Sequence, residues 1–387
     1  MLFGKWRSSR EDTHMQTDYL IIGAGIAGAS IGYWLAPHAK VVLLERETQP
    51  GYHSTGRSAA LFMESYGPPQ VRALTCASRA FFERPPAGFT DHPILSPRGA
   101  MMVAGIGQED LLEAQYAIVQ SVSDDARLLD VAGAHQLVPV LRPDRVLGAV
   151  YEPDAADIDV HSLHHGYLRG VRAAGGTISC GAEVTAMEYH RGVWRVTAGD
   201  HIYEAPVVVN AAGAWCDVIG SLAGAAPTGL VPMRRSAFTF APPDGVDSSR
   251  WPMFIAADES FYVKPDAGLL LGSPANADPV APHDVQAEEL DIALAIDRIE
   301  NMTTMTIRRP KNVWAGLRSF VGDGSLVGGF DANVPGFFWA AGQGGYGIQS
   351  SAAAGELYAT LLRGLPAPSR ISDFGVHIEA LSPARIR

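Results

Sequence analysis

Residues 18–45 set the strongest limit on what this chain can fold into. Tyr19-Leu20-Ile21-Ile22 is an apolar run long enough for one buried strand, and Gly23-Ala24-Gly25-Ile26-Ala27-Gly28 follows as a G-x-G-x-x-G turn. A helix pattern continues through Tyr33-Trp34-Leu35, and Val41-Val42-Leu43-Leu44 reads as a second buried strand ending in Glu45. Each part has a physical task. Gly23 permits a tight turn, Gly25 lets the backbone approach a pyrophosphate, and Gly28 lets helix and strand pack together. The helix start offers free N–H groups and the positive end of its dipole to an anion. Glu45 lies where an acid accepts hydrogen bonds from ribose hydroxyls. The order strand–turn–helix–strand–acid, rather than the glycines alone, predicts a dinucleotide site.

At 387 residues the chain suits two domains or one large composite one. Hydrophobic residues at 47% and charged ones at 18% exclude a disordered chain and fit a soluble globular enzyme. A net charge of −11 argues against a nucleic-acid partner. Cys76, Cys180 and Cys216 are odd in number, far apart and without a C-x-x-C. No disulfide framework, zinc site or other metal is therefore expected, and a cytoplasmic location fits. The start of the chain is polar without an apolar core, so residues 1–15 read as a loose extension rather than a secretory signal. Residues 207–226 are apolar enough to suggest a membrane span, but Asn210, Asp217 and several glycines favour a buried strand and loop.

Downstream, Ser54-Thr55-Gly56-Arg57-Ser58-Ala59-Ala60 gathers small residues, hydroxyls and one cation, a loop able to approach a flat ring closely. Residues 71–82, 109–122, 160–174 and 288–302 read as helices; the third has Asp159 as N-cap and Gly175-Gly176 as its stop. His161, His164 and His165 lie on that helix without an acid or cysteine partner, and are expected on its solvated surface. Residues 206–213 read as a further strand opening into a small-residue turn. Residues 336–341 form another strand, followed by the glycine turn Gly342-Gln343-Gly344-Gly345-Tyr346-Gly347 and a helix over 348–362. A nicotinamide dinucleotide does not need this second glycine loop. A ligand with a second charged end does: a reduced flavin carries negative charge near N1 and C2=O, and a helix N-terminus aimed there favours hydride acceptance.

The succession of residues 23–45, 54–60, 208–213 and 342–349 resembles the D-amino acid oxidase superfamily of FAD enzymes. Within it the chain is similar to the bacterial FAD-dependent D-arginine dehydrogenases from about Asp18 to the C-terminus. The blocks carrying the resemblance are Pro50-Gly51-Tyr52-His53-Ser54-Thr55-Gly56-Arg57-Ser58-Ala59-Ala60, Arg234-Arg235-Ser236-Ala237-Phe238 and Trp314-Ala315-Gly316-Leu317-Arg318-Ser319-Phe320. It implies an α/β (α+β) fold with a Rossmann-like FAD-binding domain of the D-amino acid oxidase/glutathione-reductase type, assembled from residues 16–92, 155–225 and 310–387. A second, mixed-sheet substrate domain is expected from residues 93–154 and 226–309. The resemblance also implies non-covalent FAD, held by Gly23, Gly25, Ile26, Ala27, Gly28, Glu45, Arg46, Thr55, Gly56, Arg57, Ser58, Ala59, Val184, Ala212, Gly213, Trp215, Gly344, Gly345, Tyr346, Gly347, Ile348 and Gln349.

Arg235 and Arg318 lie in otherwise apolar surroundings. Guanidinium groups so placed need acidic partners, and a substrate α-carboxylate held by a bidentate fork would serve. The resemblance assigns that work to Arg235 and Arg318 with the hydroxyls of Tyr66 and Tyr262, and offers the Gly316 carbonyl to the substrate amine. It builds the side-chain pocket from Leu61, Met63, Ala100, Met253, Ile255 and Gln349. Clamping the carboxylate aims the Cα–H bond at flavin N5. Hydride transfer then gives an imino acid, which water hydrolyses to a 2-oxo acid and ammonia.

Two positions depart from the arginine enzymes. Their guanidinium-binding glutamate falls at Ala100, and their active-site histidine falls at Leu61. Losing a buried charge partner costs on the order of 2–5 kcal/mol in binding. An apolar or neutral D-amino acid is therefore expected over D-arginine, with Glu64 a possible substitute acid. The alternatives are a secondary amine (proline-like or N-alkyl), another small carboxylate substrate such as a 2-hydroxy acid, or a non-catalytic flavin-binding module. The paired arginines and tyrosines speak against the last. A monomer is expected, passing electrons to an acceptor the sequence does not identify.

Overall fold

The computed structural model describes residues 14–386. A six-stranded sheet runs Thr177–Ser179, Val41–Leu44, Tyr19–Ile22, Val207–Asn210, Phe337–Ala341, Val327–Phe330, parallel throughout except for the last pair. Its strands are apolar at nearly every position because both faces are covered. Ile21, Leu43, Val209 and Phe338 turn toward the helices Ile26–Leu35, Val160–Ala173 and Ser351–Leu362. Leu20, Val42, Val208 and Phe337 alternate to the other face. There they meet a four-stranded sheet of His14–Gln16, His201–Ala205, Val193–Ala198 and Val184–His190.

Three local expectations change. His14–Gln16 pairs in parallel with His201–Ala205, His14 opposite Ile202, so the end of the supposed loose extension is fixed by strand pairing. The rest of that extension, residues 1–13, lies outside the described residues. The apolar stretch over 207–226 contains a short helix, Cys216–Leu222, where a loop was expected; no described helix is long and apolar enough to cross a membrane. The helix expected from Ile348 begins at Ser351, which leaves residues 342–350 as an extended turn.

A second sheet has nine strands. It runs Asp278–Pro279, Val231–Phe240, Leu269–Ser273, Tyr262–Asp266, Met253–Ala256, Ala100–Gly105, Val146–Glu152, Arg127–Leu129, with Asn312–Phe320 paired onto Val231–Phe240. Met101, Val103, Phe238, Phe254 and Val263 bury one face in a core shared with the helix Glu289–Met302. Ala100, Met102, Ala237, Ile255 and Tyr262 alternate to the opposite face, beside Met63, Leu61 and Tyr66. Asn312–Phe320 falls in the segment expected in the FAD-binding unit, yet it pairs along its whole length in this larger sheet. Arg235 stands opposite Gly316, and Arg318 opposite Met233. That register puts Arg235 and Arg318 on one face as diagonal neighbours, within reach of each other's long side chains.

Candidate functional site

Three cavities join end to end. The first, about 1130 Å³, is walled by the first glycine turn, Glu45, Arg46, Thr55, Val184, Ala212, Gly213 and Trp215. Gly23 has φ +100°, a conformation that favours glycine, and a Cβ on Gly28 would overlap the Gly23 carbonyl oxygen. Gly28 itself does not line the cavity; it lets helix and turn meet. Glu45 accepts the N–H of Ala24 at 3.1 Å and of Glu47 at 3.0 Å. Burial pushes its carboxyl above the usual range, with those two donors pulling the other way. Thr55 Oγ1 accepts the Ile26 N–H at 3.0 Å. The Arg46 guanidinium lies 4.8 Å from the centre of the Trp215 ring and pairs with Glu47 and Glu183.

The expectation of a solvated histidine face fails at His164. The buried stripe of its helix runs through Leu163, His164, Tyr167, Leu168 and Val171, while His161 and His165 stay outside. His164 is 4% exposed, and its Nε2–H donates to the Ala24 carbonyl at 2.8 Å. Burial lowers its pKa to about 4, with the charges of His165 and His161 adding to the shift. The unfolded chain, near the ordinary value of about 6.5, takes up that proton first. The stability due to neutral His164 is thus complete above pH about 6.5 and is lost as pH falls toward about 4. His164→Gln is expected to flatten that part of a Tm-against-pH profile.

The second cavity, about 630 Å³, shares Ile26, Ser54, Thr55, Leu317, Gln343 and Gly344 with the first. Arg57, Ser58, Ala59, Gly316, Gly345, Gly347 and Ile348 complete it. The loop over 54–60 is fastened to the strand Asn312–Phe320. Ser54 Oγ donates to the Leu317 carbonyl at 2.6 Å, and Trp314 Nε1 to the Arg57 carbonyl at 3.0 Å. Arg57 donates to the carbonyls of Ala315 and Val285 and pairs with Asp284, so its charge is already engaged. Gly56 does not line the cavity; its N–H closes a turn onto the Gly51 carbonyl at 2.7 Å.

The third cavity, about 710 Å³, shares Ser58, Ala59, Arg235, Tyr262, Arg318, Gly345 and Ile348 with the second. Leu61, Met63, Tyr66, Met102, Met253, Ile255 and Gln349 add a mostly apolar wall. Among the described residues neither Arg235 nor Arg318 pairs with a carboxylate. Arg235 Nε donates to the Asn276 carbonyl at 2.6 Å, and Arg318 Nη1 to the Tyr66 hydroxyl at 3.3 Å. The adjacent Arg234 points to the other face and is enclosed by Asp278, Glu288 and Asp291. Burial, and then the Arg318 charge, pulls the Arg235 pKa below the usual guanidinium value. A Cβ on Gly345 would lie 2.8 Å from Arg318 Nη1, so the second glycine loop leaves room for this cation. Two uncompensated guanidinium groups facing one cavity make a site for a small anion.

Several expected positions fall elsewhere. Ala100 is buried beneath the wall, and Met102, the next residue on the same strand face, lines the cavity instead. Tyr346 packs edge-on against Tyr66 and Phe320 rather than lining any of these three cavities. Glu64 is turned to Arg79, with two contacts of 2.9 Å, and so is no substitute acid for a substrate. Met102, Glu259 and Ala275 line the third cavity without having been foreseen. Strand alternation from Ala100 could have found Met102. Glu259 and Ala275 sit in turns at φ +54° and +50°, with no glycine to mark them.

The three joined cavities, with the glycine turn at one end and a middle section between two small-residue loops, fit FAD. A family model described as FAD dependent oxidoreductase, DAO, matches residues 18–361. L-2-hydroxyglutarate dehydrogenase from Escherichia coli O17:K52:H18 is 26% identical over 237 residues, which are 58% of this chain and 54% of that protein. The chain thus spans about half the length of this curated relative. Glycine oxidase from Bacillus licheniformis is 24% identical over 358 residues, 90% of this chain and 94% of that protein. Among solved structures, glycine oxidase from Geobacillus kaustophilus shares the fold with a TM-score of 0.80 at 22% identity, covering 91% of this chain and 96% of that one. The chain belongs to the DAO family of FAD dependent oxidoreductases, and its cofactor is FAD.

Proposed function

We propose that this protein oxidises small D-amino acids with apolar or neutral side chains, in preference to D-arginine. The product is an imino acid, which water hydrolyses to a 2-oxo acid and ammonia. One observation carries the reading: Arg235 and Arg318 face the third cavity with no carboxylate partner among the described residues. FAD, when bound, accepts the hydride. The chain's own residues bind and orient. Arg235 and Arg318, with the Tyr66 and Tyr262 hydroxyls, take the substrate carboxylate and so fix the α-carbon. The Gly316 carbonyl, on the middle cavity, accepts a hydrogen bond from the amine. Leu61, Met63, Met102, Met253 and Ile255 hold an apolar side chain and keep water out. Glycine oxidase, by its name an enzyme of an amino acid, supports the substrate class.

A second reading keeps the same clamp and changes the group oxidised. Leu61 supplies no titratable group where the arginine enzymes place a histidine near the amine, which opens the site to a substrate other than a primary amine, such as a proline-like or N-alkyl secondary amine. L-2-hydroxyglutarate dehydrogenase, named for a 2-hydroxy acid, points to another small carboxylate. For D-arginine the buried wall offers no acid; Glu259 stands on an exposed turn of the cavity, where water screens its charge. A steady-state panel tests both readings. Neutral D-amino acids are expected to exceed D-arginine in kcat/KM by about tenfold or more. D-arginine ahead by orders of magnitude would overturn the preference, and an N-methyl or 2-hydroxy acid leading the panel would select the second reading.

A further inference from the structure

We propose that His164 is a positioning residue for FAD: its donated hydrogen bond sets the plane of the Ala24–Gly25 peptide so that the Gly25 N–H faces the dinucleotide. The Ala24 carbonyl and the Gly25 N–H belong to one peptide unit. The described residues contain no cis peptide, so the two groups point to opposite sides of that unit. The carbonyl is held by a buried imidazole at 2.8 Å. Gly25 lines the first cavity, and among the described residues its N–H has no acceptor. Its neighbours are already engaged: the Ala24 N–H by Glu45 and the Ile26 N–H by Thr55. The Gly25 N–H is thus left for a ligand, as is that of Ala27 at the helix start, and of the two it is the Gly25 N–H whose peptide unit His164 holds by the Ala24 carbonyl. A donor on the carbonyl also polarises the peptide and strengthens its N–H as a donor to a phosphate oxygen.

The surroundings are built for this ring. A Cβ on Gly51 would lie 2.9 Å from His164 Cε1, so glycine at that position lets the imidazole in. Three segments distant in sequence therefore converge on one turn: Glu45 from the end of the second strand, Thr55 from the following loop and His164 from the helix Val160–Ala173. His164 does not line the cavity, so its effect reaches FAD only through the backbone.

Substituting the donor, with the bulk retained, tests this. FAD affinity is measured on protein stripped of flavin and refilled, alongside the Tm of the flavin-free form. His164→Leu is expected to raise the Kd for FAD about ten- to a hundredfold, while His164→Gln, which can still donate, stays within about threefold of the parent. The flavin-free Tm of the two variants is expected to agree within about 3 °C. A His164→Leu protein that binds FAD like the parent would overturn the inference. So would a His164→Gln protein as weak as His164→Leu, because packing alone would then explain both. If His164→Leu does not fold, His164→Met carries the same comparison with Gln.

Discussion

Arg318→Met is expected to lower kcat/KM for the preferred amino acid by about a hundred- to a thousandfold while FAD stays bound. The side chain stands in the third cavity, touches the Tyr66 hydroxyl and has no internal carboxylate among the described residues. In the absence of substrate the Tyr66 and Tyr262 hydroxyls, not a carboxylate, offset the burial of its charge. Removing it is expected to change the Tm by no more than about 3 °C, less than the loss of a buried ion pair would. Arg318→Lys keeps a point charge but loses the planar fork and is expected to fall between the parent and Met. Arg235→Met is expected to resemble Arg318→Met, and the double variant to lose less than the product of the two, because both cations serve one carboxylate. Steady-state kinetics with flavin-to-protein ratios checks each outcome. Loss of flavin from Arg318→Met, or unchanged kcat/KM, would remove the clamp from the account.

Gly28→Ala is expected to be the most damaging single methyl in the cofactor half of the molecule. Its Cβ would overlap the Gly23 carbonyl oxygen and approach Ile21 Cγ2 at 3.2 Å. Gly23 cannot withdraw. Its N–H is bonded to the Leu44 carbonyl at 2.7 Å, and its φ of +100° already belongs to a turn with no slack. Overlap of backbone with backbone finds no rotamer to relieve it, so a loss of about 3 kcal/mol or more is expected, together with loss of FAD. Gly25→Ala is the informative contrast. There the added methyl meets only Thr55 Oγ1, at 3.2 Å, so the flavin-free Tm is expected to hold while FAD binds more weakly. The flavin-to-protein ratio and the Tm of the two variants decide. Stoichiometric FAD in Gly28→Ala would contradict the packing argument.

How far the sequence could be read follows the range of the interactions. The first glycine turn was legible because its parts are local: strand, turn, helix and acid lie within residues 18–45. Arg235 and Arg318 stood out through their apolar neighbours and the family resemblance, but their diagonal placement needs the strand register, which spans many residues. His164 was misread because its partner, the Ala24 carbonyl, is 140 residues away and leaves no pattern beyond one position on a helix stripe. The wall position went to Met102 rather than Ala100 because a methyl at Ala100 is too short to reach the cavity. Glu64 looked available for a substrate only because Arg79, fifteen residues on, could not be seen to claim it. The assembly of the cleft from distant segments came from family resemblance, since no local signal encodes it.

The central claim is that two guanidinium groups hold a carboxylate so that the neighbouring carbon faces the flavin. Anaerobic single-turnover bleaching of the bound flavin tests it most directly, with an apolar D-amino acid compared against the amine that lacks only its carboxylate. The acid is expected to reduce the flavin at least about a hundredfold faster, and Arg318→Met to shrink that ratio toward one. Equal rates for acid and amine in the parent protein would contradict the account.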